Sequence, residues 1–341
     1  LENGLVTVYT SLRKVIEERP FSYEMSEDGK PGEEVKTKYN LDGNVLSFDI
    51  KGAYRQDRLL VIDPSLVFGT FSGSTADNFG YTATYDERGN AYSGGTVYTF
   101  GFPVTLGAFQ VTWNSGVSVD ASVGDIPRDI GILKYSSNGT RLEYATYIGG
   151  SHNEDPHSMV VNNDDELVIF GNTGSANFPT TISAYDTSFN GGYDIFVCKL
   201  SYDGRRLLSS TYVGGSGRDG LNGRQGIINN VRGNSNELGF NYGDMYRGEV
   251  VVNEDDHVFI ATTSQSKDFP ADSDTYQDKG GGKHDGVLLK LNANLSSLMG
   301  STYFGGTEHD ALYGISLDSD GNVYACGGTR SEALPFVSTA F

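Results

Sequence analysis

Positive charge is scarce in this chain: 25 Lys and Arg stand against 44 Asp and Glu, a formal net charge of −19 at pH 7. Such a surface repels phosphate backbones and anionic bilayers, so nucleic acid and membrane insertion are excluded as modes of action. Cysteine is limited to Cys198 and Cys326, which form neither a zinc spacing nor a disulfide framework. Long apolar runs are missing as well, and no segment reads as a transmembrane helix. The chain opens Leu1-Glu2-Asn3-Gly4, without an initiator Met or the charged and apolar regions of a signal peptide, and is expected to be a processed product or a fragment.

What is abundant is glycine, 45 residues of 341 and about twice the usual share, beside 21 Tyr and 18 Phe. Glycine supplies positive φ for tight turns, and aromatics fill pleated, half-buried surfaces. The mixture fits many short strands.

The chain also repeats. A Thr-aromatic-x-Gly signal occurs at Thr70-Phe71-Ser72-Gly73, Thr146-Tyr147-Ile148-Gly149-Gly150, Thr211-Tyr212-Val213-Gly214-Gly215 and Thr302-Tyr303-Phe304-Gly305-Gly306. An apolar-Pro pair follows the aromatic after 31 residues in three copies (Phe102, Phe178, Leu334) and after 57 in the other (Phe269). The next aromatic comes 7 residues later every time, at Phe109, Tyr185, Tyr276 and Phe341. An Asp that opens a strand (Asp129, Asp194, Asp285) then precedes the following Tyr by 18 residues in each complete copy. The uninterrupted period is the 65 residues from Tyr147 to Tyr212, and two insertions explain the deviations: 11 residues within 110–128 and 26 near 220–245. Within a period, apolar runs alternate with turn chemistry, as in Gly314–Leu317, Asp318-Ser319-Asp320-Gly321-Asn322 and Val323–Cys326. Four strands per period make one propeller blade.

The expected fold is therefore all-β: a β-propeller over residues 66–341, with repeats near 71–146, 147–211, 212–302 and, incomplete, 303–341, preceded by a small β segment or domain end at 1–65. In that first segment Leu5–Tyr9, Val45–Ile50 and Leu59–Asp63 read as strands, while Leu12–Glu18 admits a short helix. Blade number stays open. Either further blades follow, or Leu59–Ile62 and Leu66–Phe71 supply the last blade's missing strands and close a ring of four.

Ser210-Thr211-Tyr212-Val213-Gly214-Gly215-Ser216, Asp320-Gly321-Asn322-Val323-Tyr324 and Asn177-Phe178-Pro179-Thr180-Thr181 resemble the SBBP β-propeller repeat. Leu60-Val61-Ile62-Asp63-Pro64 is similar to the junction that precedes such repeats in large bacterial surface proteins. The resemblance covers about residues 59–341. It implies an exported, outer-membrane-associated or extracellular protein, linked to type IX secretion, gliding motility or adhesion. It carries fold more firmly than function.

Several constellations have a functional and a structural reading. Asp318, Asp320 and Asn322 have the alternate spacing of calcium ligands, but no bidentate Glu follows, and Asp, Gly and Asn also favour hairpin turns for backbone reasons. Seven residues beyond each aromatic landmark lies a polar slot, Asn78, Glu154, Asp219 or Asp310. These residues form either a cation-binding ring or caps for their own Gly-rich turns, and capping is the preferred reading. Gly215-Ser216-Gly217-Arg218-Asp219-Gly220 fits the dinucleotide formula, yet the sequence after it is too glycine-rich to start the required helix. No nucleophile elbow, His-Glu-x-x-His pair or phosphate loop occurs. The lone Trp113 is either a partner-contacting ring or the anchor of its own loop.

These observations predict a non-enzymatic module without cofactors, calcium at the Asp318 turn being the lesser alternative to a plain hairpin turn, that binds or scaffolds protein partners or surface glycans at the cell envelope. The alternative is a carbohydrate-binding or carbohydrate-active propeller enzyme, which paired carboxyls with raised pKa values would favour. The expected binding residues are Arg224, Arg232, Phe240, Tyr242 and Tyr246 of the 26-residue insertion, together with Trp113. Arg and aromatic side chains are the types that dominate binding hot spots.

Overall fold

The computed structural model describes residues 5–9, 14–17, 19–43, 45–63, 68–116, 126–222 and 247–335. These are all strand, turn or irregular structure, with no helix among the described residues. Two compact units are present, Leu1–Thr70 and Phe71–Phe341.

In the first unit β1 (Val6–Tyr9) pairs with β2 (Lys14–Glu17). The short helix admitted for Leu12–Glu18 is thus replaced by a strand, because Val15 and Ile16 are β-branched and pair opposite Val8 and Thr7. Strand β3 (Phe21–Met25) lies between β4 (Pro31–Glu34) and β7 (Leu60–Asp63), and β5 (Thr37–Asp42) forms a hairpin with β6 (Val45–Ile50). Val35 and Tyr39 are the buried apolar residues there. Residues 60–63 pair with Phe21–Glu24 within the first unit.

The second unit contains three four-stranded antiparallel sheets in simple chain order. Sheet one comprises β8 (Asn78–Tyr85), β9 (Ala91–Val97), β10 (Asp129–Tyr135) and β11 (Leu142–Ile148). Sheet two comprises β12 (Glu154–Val161), β13 (Leu167–Thr173), β14 (Asp194–Leu200) and β15 (Leu207–Val213). Sheet three comprises β16 (Glu249–Val252), β17 (Val258–Ser264), β18 (Asp285–Leu291) and β19 (Leu298–Phe304). A two-stranded sheet follows, β20 (Asp310–Leu317) with β21 (Val323–Thr329).

Central strands such as β13, β14 and β17 are buried along their whole length, which accounts for their continuous Val, Ile, Leu and Phe content. The core lies between sheets. Val168, Phe170 and Val197 of sheet two pack with Val250, Ile260 and Val287 of sheet three, while Ile169, Phe196 and Cys198 pack toward Ile130, Ile132 and Tyr144 of sheet one. First strands adjoin in succession, β8 against β12, β12 against β16 and β16 against β20. Backbone bonds stitch the residue just before each third strand to the chain that opens the next sheet: Glu154 N to Arg128 O at 3.0 Å, Asp219 N to Tyr193 O at 2.8 Å and Asp310 N to His284 O at 2.9 Å.

Candidate functional site

Each part of the repeated sequence has an identifiable task. Thr146, Thr211 and Thr302 accept, through Oγ1, the backbone N–H of Gln110, Asp186 and Gln277 at 2.9–3.0 Å, which fixes the connector between second and third strands. The aromatic that follows holds the apolar-Pro segment. Tyr147 and Tyr303 accept the N–H of Phe102 and Phe269, and the Tyr212 hydroxyl donates to Ser175 O at 2.7 Å. The fixed spacings are the distances between the two halves of this clamp.

The strand-opening Asp residues and the polar slots converge at the sheet junctions. Asp129 accepts from Asn114 N and Ser115 N at 2.7 and 2.9 Å, Asp194 from Asn190 N at 2.7 Å and Asp285 from Gly282 N at 3.2 Å. Across each junction the slot acid caps the Gly-rich turn: Glu154 accepts from Gly150 N, Asp219 from Gly215 N and Asp310 from Gly306 N, at 3.0, 2.8 and 2.6 Å. Hydroxyls at or just beyond the end of the second strand also donate to these acids: Thr173, Ser264 and Thr329 to the other oxygen of Glu154, Asp219 and Asp310, and Ser266 and Ser331 to the capping oxygen of Asp219 and Asp310. All six carboxyls are nearly inaccessible, none more than 3% exposed. The turn's first glycine lies between the two acids of a pair. A Cβ on Gly149 would stand 2.6 Å from Asp129 Cγ and 2.7 Å from Glu154 Oε2, so no other residue fits without displacing them.

Burial dominates the electrostatics of these pairs. It pushes Asp129 up to about 7 and Glu154 up to about 8, the latter helped by the neighbouring Asp129 charge and opposed by its hydroxyl and backbone donors. Asp194 is pushed up to about 7 and Asp219 to about 6, and Asp285 is raised, again mainly by burial. Two carboxylates sharing so little solvent cannot both ionise cheaply.

The first strands carry a second shared feature, a bulge. Tyr81, His157 and Tyr313 are the extra residues where register shifts in β8, β12 and β20. His157 is buried, contacts Asn172 Oδ1 through Nε2 at 2.7 Å, and burial pushes it down to about 4. At the same register sheet three has Asn222, and among the described residues the next pairing is that of Glu249 opposite Ala261. The 26-residue insertion therefore occupies 223–248, three residues beyond the expected 220–245, and departs from a bulge. Its ends touch the next first strand: Asn222 Nδ2 donates to the Tyr313 hydroxyl at 3.0 Å, the Arg247 guanidinium stands 5.6 Å from the Tyr313 ring, and Glu249 Oε2 accepts from Ile315 N at 2.9 Å.

Among the expected binding residues, Arg224, Arg232, Phe240, Tyr242 and Tyr246 lie outside the described residues. Trp113 is half-buried, donates its indole N–H to Val97 O at 3.1 Å and meets the Phe100 ring edge-on at 5.4 Å, an arrangement that anchors its loop. Asp318 is used by its own turn, accepting from Asp320 N and Asn322 N at 3.0 and 2.8 Å and from Asn322 Nδ2 and the Tyr324 hydroxyl at 2.8 and 3.1 Å. Asp86, Asn162 and Asn253 cap the corresponding turns of the other sheets. No group of three or more His, Cys, Asp or Glu side chains placed for a metal ion occurs among the described residues.

Cys198 and Cys326 are free thiols, one buried and one exposed. Sequence reasoning missed a buried ion pair. Arg128 donates to both oxygens of Asp155 at 2.6 and 2.9 Å and to Ile126 O at 2.9 Å, with both side chains almost fully inaccessible. The available signal was Arg128 itself, a cation at the register where other copies carry Tyr193 and His284.

Fold and junctions thus define an all-β protein of repeated four-stranded antiparallel sheets locked by buried acid pairs. The family described as a domain of unknown function, DUF7948, matches residues 1–65. No curated protein matches the chain.

Proposed function

We propose that residues 66–341 are blades of an SBBP-type β-propeller that acts as a non-enzymatic binding or scaffolding module of an exported bacterial surface protein, with roles of the adhesion, gliding or type IX secretion kind. Successive first-strand contacts and the stitched sheet junctions support the radial arrangement. The observation that carries the binding role is the placement of the 26-residue insertion. It leaves and re-enters the first strand of sheet three, anchored through Asn222, Arg247 and Glu249 on β20. The repeat does not need this extra length, and loops on a rigid scaffold are where recognition is commonly built. Protein partners or surface glycans are the ligands this reading expects.

The buried acid pairs favour a second reading, a carbohydrate-active enzyme, because carboxyls raised to about 7 and 8 suit acid catalysis. That reading is the weaker one. The pairs recur at three junctions in one register, the slot acids Glu154, Asp219 and Asp310 are taken up by the protein's own donors, and burial of all six carboxyls closes them to a substrate.

The test deletes residues 223–248, joining Asn222 to Glu249 as the other sheets join across the bulge, and compares capture of cell-envelope proteins and glycans by the two chains. Loss of specific capture by a folded deletion variant is the expected result. A folded variant that keeps every ligand held by the intact chain rejects the insertion as the binding site.

A further inference from the structure

The three acid pairs are alike in burial but differ in how their oxygens are used. At the junction of sheets one and two both oxygens of Asp129 are taken, Oδ1 by Ser115 N and Oδ2 by Asn114 N. At the other two junctions the connector donates to one oxygen only, Asn190 N to Asp194 Oδ2 and Gly282 N to Asp285 Oδ2. Asp194 Oδ1 and Asp285 Oδ1 are buried without a hydrogen-bond partner, in residues that are 0% and 3% exposed.

Each orphaned oxygen lies beside the slot acid across its junction. A Cβ on Gly214 would stand 2.6 Å from Asp194 Oδ1 and 2.9 Å from Asp219 Oδ2, and one on Gly305 would meet Asp285 Oδ1 and stand 3.0 Å from Asp310 Oδ2. With glycine at these positions no side chain separates the two acids. Capping of the turn engages the slot acid and does not reach the orphaned oxygen.

Two carboxylates in a dry site need countercharge, and a buried carboxyl oxygen left unpaired is costly. No ion pair to Asp194, Asp219, Asp285 or Asp310 occurs among the described residues. The side chains that meet at each gap offer oxygen. Besides the carboxyls these are the hydroxyls of Ser266 and Ser331, which donate to Asp219 Oδ2 and Asp310 Oδ2 at 2.7 Å and keep lone pairs of their own. Oxygen ligands of this kind suit a hard cation. Calcium accepts irregular geometry, whereas magnesium demands a near-ideal octahedron and gives up its waters reluctantly.

We propose that one calcium ion binds between Asp194 and Asp219 and a second between Asp285 and Asp310, while the Asp129–Glu154 junction binds none. Sheet three lies between the two calcium junctions, so the metal fastens it to sheet two on one side and to β20 on the other. The junction without calcium has a lock of its own, the buried Arg128–Asp155 ion pair, where the other two carry Tyr193 and His284 at the Arg128 register. The inference rests on the sheet junctions and does not depend on the binding role of the insertion.

Equilibrium dialysis of the full chain against calcium at neutral pH tests the stoichiometry. Two ions per chain are expected, with magnesium competing at least about 10-fold more weakly. Asp194→Asn and Asp285→Asn should each remove one ion, because asparagine keeps the shape and an acceptor oxygen but loses the charge. Asp129→Asn and Asp318→Asn should keep both. The proposal is overturned by the absence of saturable binding, or by binding that survives the Asp194→Asn/Asp285→Asn double change. Loss produced by Asp318→Asn alone also overturns it and assigns the ion to the hairpin turn.

A second measurement uses the unaltered chain, so it does not depend on any variant folding. On addition of calcium, amide exchange at Gly214–Gly215 and Gly305–Gly306 should slow by at least about 10-fold, while exchange at Gly149–Gly150 stays unchanged. Magnesium at the same ionic strength should leave all three turns as they were. Equal slowing at the three turns, or slowing at none, overturns the proposal.

Discussion

Raising the pH from 5 to 8 should destabilise the repeat unit, which is the reverse of what salt-bridged carboxylates produce. Glu154 has an ordinary value of 4.5 and is pushed up to about 8 in the fold, and Asp129 beside it is pushed up to about 7. Between the ordinary and the raised value the folded chain holds protons that the unfolded chain has released. The slope of unfolding free energy with pH is then negative, so stability is full below about pH 4, falls across the window and reaches its floor above about pH 8.

A tenfold change in proton affinity is worth about 1.4 kcal/mol, which makes the contribution of one such acid taken by itself on the order of 3–5 kcal/mol, and that of the pair less than twice as much because the two titrations are coupled. A loss of at least about 2 kcal/mol for the whole unit between pH 5 and 8 is a conservative reading. Self-repulsion of a chain with a net charge of −19 acts in the same direction.

The assay is urea unfolding at matched ionic strength, with Glu154→Gln as the diagnostic variant. Glutamine cannot titrate and keeps an acceptor oxygen for the Gly150 N–H, so the variant should show a shallower decline toward pH 8. Stability that rises between pH 5 and 8, or a Glu154→Gln profile parallel to the parent's, would refute the reasoning.

Further expectations concern other parts of the unit. Arg128→Met should cost about 3–5 kcal/mol because it strands Asp155 in a dry site, and adding Asp155→Leu should recover much of the loss, as read by the same unfolding assay. A maleimide should label one thiol, Cys326, in the folded chain and both thiols in denaturant; rapid labelling of Cys198 in native buffer contradicts the buried position of β14. The 223–248 deletion should unfold cooperatively with an unchanged strand content by circular dichroism, and a molten variant would show that the insertion is part of the fold.

Much of this was legible in the sequence because the repeat keeps register. The distance from Phe102 to Phe109, and its equivalents, is fixed by a clamp in which a Thr hydroxyl and a Tyr ring hold one connector, so residue counting located the strands. The capping role of Glu154, Asp219 and Asp310 followed from their position after paired glycines. What escaped was information carried between sheets. Arg128 and Asp155 meet across a junction, 27 residues apart, and no single-sheet pattern reveals that contact. The insertion's limits were three residues off because the bulge, which lets one sheet absorb extra chain, has no fixed residue type: Tyr81, His157, Asn222 and Tyr313 share the register. Raised acid pairs were weighed only as a mark of catalysis, since a sequence does not say whether two carboxyls face a cleft or a sealed junction.

The distinction between a binding module and a catalyst is tested most directly by turnover on a panel of glycans and peptides, measured for the intact chain and for Glu154→Gln, Asp194→Asn and Asp219→Asn. Acids that serve only as caps predict no hydrolysis above the buffer rate in any of the four proteins. Measurable turnover by the intact chain that a single one of these substitutions abolishes, in a variant that remains folded, would contradict the non-enzymatic reading.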